Sequence, residues 1–85
     1  MFEASEMKRL IEEAIPGAVA HVIDDAGDKE HFSGDIVSPT FEGMPLVRQH
    51  QAVYKALGAR MGREIHAFSF KTWTPASWAA HTSRS

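Results

Sequence analysis

Glu64-Ile65-His66-Ala67-Phe68-Ser69-Phe70-Lys71 alternates in the manner of a β-strand. A strand shows every second side chain to the same face. His66, Phe68 and Phe70 therefore share one side, and Ile65, Ala67 and Ser69 share the other. A histidine in register with two phenylalanines is either a core residue or a metal ligand at the rim of an apolar face. The stretch alone leaves both readings open.

Upstream, Leu46, His50, Val53 and Leu57 recur at spacings of four, three and four, which is one face of a helix. Arg48, Gln51 and Lys55 take the opposite side, Pro45 suits the first helical turn, and Gly58 and Gly62 bracket the end. Before that helix, His31-Phe32-Ser33-Gly34-Asp35-Ile36-Val37-Ser38 reads as another strand, with Phe32, Gly34 and Ile36 on one side. Strand, helix and strand make a β-α-β unit. If both strands join one sheet, the helix carries the chain back and they run parallel. His31 and His66 then open neighbouring strands at one rim of the sheet.

The remaining elements frame this unit. Met7, Leu10, Ile11, Ala14 and Ile15 mark an opening helix, with Lys8, Arg9, Glu12 and Glu13 on its polar side. Pro16-Gly17 stops it. Ala18 to Ile23 is a β-rich run that pairs with the His31 strand as an antiparallel hairpin around the acidic loop Asp24 to Glu30. That loop lacks the ligand spacing and closing glutamate of a calcium site. Thr74-Pro75 caps a short last helix through Trp78. The expected order is α-β-β-α-β-α, an α+β domain over residues 1–80, with 81–85 as a flexible tail.

Eighty-five residues, 44% hydrophobic and 24% charged, describe one small domain. Phe41 is expected to plug its core, with Gly43 supplying a positive φ beside it. His50 should be an interior histidine and Trp73 and Trp78 core or helix-docking residues, while His21 and His81 look incidental. There is no cysteine, so the chain supplies no thiolate ligand. A formal charge of −2 speaks against a nucleic-acid binder. No apolar run would span a bilayer and the start is acidic, so the expected setting is cytoplasmic, without membrane association. Neither a phosphate loop nor a nucleophile–base signature is present, and no enzyme is expected. Two imidazoles fall short of the ligands that zinc or an iron–sulfur cluster takes. Any metal reading therefore needs ligands from another molecule.

With these residues assembled, the chain resembles the BolA family from about Ile11 to Trp78. The likeness is carried by His31-Phe32, by Val37-Ser38 with Phe41-Glu42-Gly43, and by Leu46, His50, Val53-Tyr54 and Leu57. It continues through Ile65-His66-Ala67-Phe68 and Thr74-Pro75 with Trp78. The resemblance implies a KH-like (class II) fold, a three-stranded mixed sheet with helices packed on one face. It also implies a heterodimer with a monothiol glutaredoxin around a bridging two-iron two-sulfur cluster, serving cluster trafficking or iron homeostasis. The glutaredoxin cysteine and glutathione would supply two ligands, His66 a third, and His31 the histidine of the loop side. Where the family carries Arg-His-Arg, this chain has Gln49-His50-Gln51. The alternative implied role is DNA binding through Arg48, Lys55, Arg60 and Arg63. The free chain is expected as a monomer or weak homodimer.

Overall fold

A computed structural model describes residues 3–25, 27, 31–63, 65 and 67–83. Helix α1 (Ala4–Ala14) begins the chain, and strands β1 (Val19–Asp24) and β2 (His31–Val37) follow as an antiparallel pair, Val19 opposite Val37 and Asp24 opposite Phe32. A 3-10 turn at Pro39–Phe41 leads into α2 (Leu46–Leu57), and a second at Gly58–Arg60 leaves it. Strand β3 (Ala67–Trp73) then lies parallel to β2, with His31 opposite Ala67 and Val37 opposite Trp73. Helix α3 (Pro75–Thr82) closes the described chain. The sheet order is β1-β2-β3, so β2 is central and the pairing is mixed, as the β-α-β argument requires.

One sheet face carries the core. Ala20, Phe32, Ile36 and Phe68 project from it and are buried against Met7 and Ile11 of α1 and Val53 and Leu57 of α2. Phe41 is buried with them, so the turn after β2 does plug the core. The reading that put the helices on one face holds for α1 and α2. Helix α3 instead leans on the opposite face, where Trp78 stacks on His21 and meets the edge of Trp73. The cause is strand parity: Trp73 alternates with Phe68, Phe70 and Thr72, so it points away from α2 and the following helix packs over it.

Four local expectations change. Strand β3 starts at Ala67, and Ile65 precedes it in a bridge with Met61. The Ile65 N–H donates to the Arg60 carbonyl at 2.9 Å and its carbonyl accepts from the Gly62 N–H at 2.8 Å. This turn breaks the alternation and buries Ile65, while Ala67 and Ser69 stay exposed. At the start of α2, Leu46 is 63% exposed, because the helix begins beyond the edge of the core. His50 is half-buried rather than interior, its ring 4.7 Å from that of Phe70. Finally, α3 runs through Thr82, so His81 belongs to the helix and not to a tail. Residues 84 and 85 lie outside the described ones.

Polar side chains tie the turns together. Ser38 is fully buried: its hydroxyl donates to the Pro16 carbonyl at 2.8 Å and accepts from the Thr40 N–H at 3.0 Å. Gln49 donates to the Met44 carbonyl at 2.7 Å and accepts from the Thr72 hydroxyl at 2.6 Å, linking the turn, α2 and β3. Gly43, at φ +70°, allows the turn between them. At the opposite edge of the sheet, Glu12 reaches across from α1. Its carboxylate accepts from the Ala20 N–H at 2.9 Å and from Lys8, whose ammonium also donates to the Ala20 carbonyl at 3.2 Å. One ion pair thus satisfies both backbone groups of a residue on the outer edge of β1.

At Gly34 a Cβ would lie 2.4 Å from the His21 carbonyl oxygen and 3.3 Å from the Phe68 ring. Gly34→Ala should therefore cost about 1–3 kcal/mol through overpacking, read as a lower urea midpoint at unchanged slope. The Lys8 ammonium and then the Ala20 N–H hold the Glu12 carboxyl below the ordinary value of 4.5. A depressed carboxyl stabilises the fold above its unfolded pKa, and that contribution is lost as pH falls through the folded one. Glu12→Gln should lose about 1 kcal/mol at neutral pH, a figure already reduced for the part-exposed Lys8. The gap from wild type should close when unfolding is measured under increasingly acid conditions.

Candidate functional site

The rim where β2 and β3 begin carries one candidate ligand, His31. His31 is exposed at the first position of β2, and Ala67 of β3 stands opposite it. The backbone there is well held. The Asp25 N–H donates to the His31 carbonyl at 3.0 Å, and the Ser33 hydroxyl donates to the Asp25 carboxylate at 2.7 Å. The imidazole of His31 therefore projects from a fixed backbone at an accessible edge. His66 lies outside the described residues. Its neighbours Ile65 and Ala67 are described, the first buried in the core and the second in register with His31. Among the described residues, no three or more side chains of the His, Cys, Asp and Glu types gather into one metal-binding group.

An imidazole has one lone pair to offer a soft or borderline metal, and each such ligand leaves the rest of the coordination sphere to other donors. Asp25 is engaged by Ser33, and Asp28 lies outside the described residues. With no cysteine in the chain, the donor set suits a group shared with a second molecule better than a resident four-ligand site.

The four cations of the DNA alternative are all exposed. Arg48 and Lys55 lie on the outer side of α2, about 10 Å apart along its axis at 1.5 Å per residue. Arg60 and Arg63 follow in the turns after it, joined by a backbone bond from the Arg63 N–H to the Arg60 carbonyl at 3.1 Å. They do not form one tight cluster.

The sheet face away from the core holds an aromatic group in which the expected helix-docking residues Trp73 and Trp78 are joined by His21 and His81, which look incidental in the sequence. Besides the His21–Trp78 stack, the ring of His81 lies 4.5 Å from Trp73 and 5.6 Å from Trp78. The Trp73 indole N–H donates to the Asp35 carboxylate at 2.9 Å. These rings fasten α3, which has no fully buried residue of its own. Spacing could have flagged only part of this: Trp78 and His81 are one turn apart, but His21 comes from a distant strand.

With the αββαβα order and the paired rim established, comparison with known proteins is direct. The model of the BolA-like protein family matches residues 8–77. The chain belongs to that family. This BolA-like chain is 36% identical over 78 residues to the acid stress protein IbaG of Escherichia coli, covering 91% of this chain and 89% of that one. It is 30% identical over 53 residues to the DNA-binding transcriptional regulator BolA of Escherichia coli, covering 62% and 50%. The structure of a bolA protein homologue from Coxiella burnetii superposes with a TM-score of 0.79 at 35% identity, covering 93% and 99%. Fold and topology are thus shared with the BolA-like proteins. Among the described residues, no helix is long and apolar enough to cross a membrane.

The aromatic face yields a test of how α3 is held. Trp78→Ala removes the ring that bridges His21 and Trp73. It should cost about 1–2 kcal/mol, less than a fully buried tryptophan. Near-ultraviolet circular dichroism should weaken and α3 amides should exchange faster, while β2 and β3 keep their protection.

Proposed function

We propose that this BolA-like chain acts with a monothiol glutaredoxin, lending histidines to a two-iron two-sulfur cluster that the two proteins share with glutathione. Its role is that of a non-catalytic adaptor in cluster trafficking or iron homeostasis. The observation that carries the reading is the β2–β3 register. His31 opens β2 opposite Ala67, so an imidazole stands at the same sheet rim as the chain on either side of His66. Family membership supports it, and so does the donor count, because a chain without cysteine must obtain thiolates elsewhere. In this proposal His66 and His31 are the ligands of this chain. The partner cysteine and the glutathione thiolate complete the set, and the cluster itself supplies the redox and transfer chemistry.

The likeness to the Escherichia coli regulator does not carry DNA binding to this chain. The formal charge is −2, Gln49 and Gln51 replace cations on the long helix, and Gln49 is occupied in holding Thr72 and Met44.

Co-expression with a monothiol glutaredoxin tests the proposal. The expected product is a coloured heterodimer with cluster absorption and visible circular dichroism. His66→Ala and His31→Ala should each lower cluster occupancy about tenfold or more, in the range seen when metal sites lose support. The free variants should keep the wild-type urea midpoint to within about 1 kcal/mol. A spectrum unchanged by either substitution removes that histidine from the ligand set. If neither variant alters it, or no coloured complex forms, the reading falls.

A further inference from the structure

Helix α2 differs from α1 in how it treats its charges. On α1, Lys8 pairs with Glu12, and Arg9 with Glu6 and Glu13. From Gly43 to Arg63 the chain has four cations and no acidic side chain, although it carries eleven acids in all. Arg48 and Lys55 are therefore exposed on a helix that offers them no carboxylate.

The same helix exposes apolar bulk. Leu46, Val47 and Tyr54 are 63%, 68% and 45% exposed, three of the five large hydrophobic side chains left open among the described residues. Leu46, His50 and Tyr54 follow one another at intervals of four, so they form a single ridge, with Val47 beside it. The base of the ridge is firm: the Tyr54 ring meets Phe70 edge-on at 5.4 Å, and His50 packs on Phe70 at 4.7 Å. Arg48 and Lys55 border the ridge on its solvent side. An apolar strip rimmed by charge of one sign is the composition of a binding surface rather than of a solvated helix face.

We propose that this face of α2 docks an acidic protein segment carrying two large apolar side chains. Charge complementarity sets the sign, because α2 itself carries cations and no acid that would repel carboxylates. Geometry sets the spacing. Val47 and Tyr54 are seven residues apart, about 10 Å along the axis. Matching anchors lie two turns apart on a helix or three residues apart on an extended segment. The surface is a poorer match for DNA, since phosphates gain nothing from Leu46, Val47 and Tyr54 standing between the cations. This inference does not depend on the cluster reading; His31 and His66 take no part in it.

Selection from a phage-displayed library of random dodecapeptides against the intact protein tests it. Enriched peptides are expected to be net acidic with paired large apolar residues. Nuclear magnetic resonance titration with the consensus peptide should move amides of residues 46–55. Two variants separate the components: Val47→Ser with Tyr54→Ser removes the apolar ridge, and Arg48→Glu with Lys55→Glu reverses the charge. Each should weaken the peptide about tenfold or more, as expected for loss of anchoring residues. Far-ultraviolet circular dichroism confirms that both remain folded. The proposal is overturned if enriched peptides are neutral or basic, if their shifts map away from α2, or if both variants bind as wild type does. Saturable binding of a DNA duplex that survives the serine variant and is lost in the glutamate variant also overturns it, by assigning the face to nucleic acid.

Discussion

The parallel pairing of β2 with β3 is the constraint from which the other features descend. Parallel neighbours need a crossover, and here α2 makes it, running back over the sheet from the end of β2 to the start of β3. That path presses Val53 and Leu57 onto Phe32, Ile36 and Phe68, the apolar layer that holds the domain together. It brings His31 level with Ala67. It also fixes the parity of β3, which sends Phe68 and Phe70 toward α2 and Trp73 away from it. Displacing the pairing by one residue would exchange those two sets of side chains. The core and the docking of α3 would both be lost.

Much of this was legible from periodicity. The alternation of Phe32 and Ile36, the helical recurrence of Val53 and Leu57, and the Thr74-Pro75 start of α3 each translate directly into local geometry. The placement of His31 at the rim followed from the order of elements. What escaped were features set by partners distant in the chain. Glu12 looked like a solvated helix residue because nothing in its neighbourhood announces the Ala20 backbone beside it. His21 looked incidental because its partner Trp78 comes from a distant helix, and His81 because Trp73 lies on β3. Leu46 satisfied the helical stripe, yet the stripe extends past the core that it was meant to cover. Ile65 obeyed the strand alternation on paper, and the turn closed by Gly62 and Arg60 overrode it. The candidate site was legible only in part. The rim position of His31 came from topology, whereas the roles given to His31 and His66 came from the family resemblance.

The fold keeps its surfaces chemically separate. One sheet face is apolar and covered by α1 and α2; the other is aromatic and polar, held by Trp73, Trp78 and the Asp35 carboxylate. The rim at the start of β2 and β3 carries imidazole. The outer side of α2 carries cations and exposed apolar groups without acids. Gln49 shows how a residue can leave one role for another. Its amide spends both ends on the turn and on β3, so it strengthens the frame.

The Lys8–Glu12 pair has a consequence for how molecules of this kind can add to one another. β1 and β3 are the two outer strands of the sheet, and each would present peptide groups to an incoming chain. By occupying both peptide groups of Ala20, the pair covers the start of the β1 margin with groups from its own chain. An incoming strand would have to displace that pair before it could bond at Ala20, so the start of β1 is the costlier margin for strand addition.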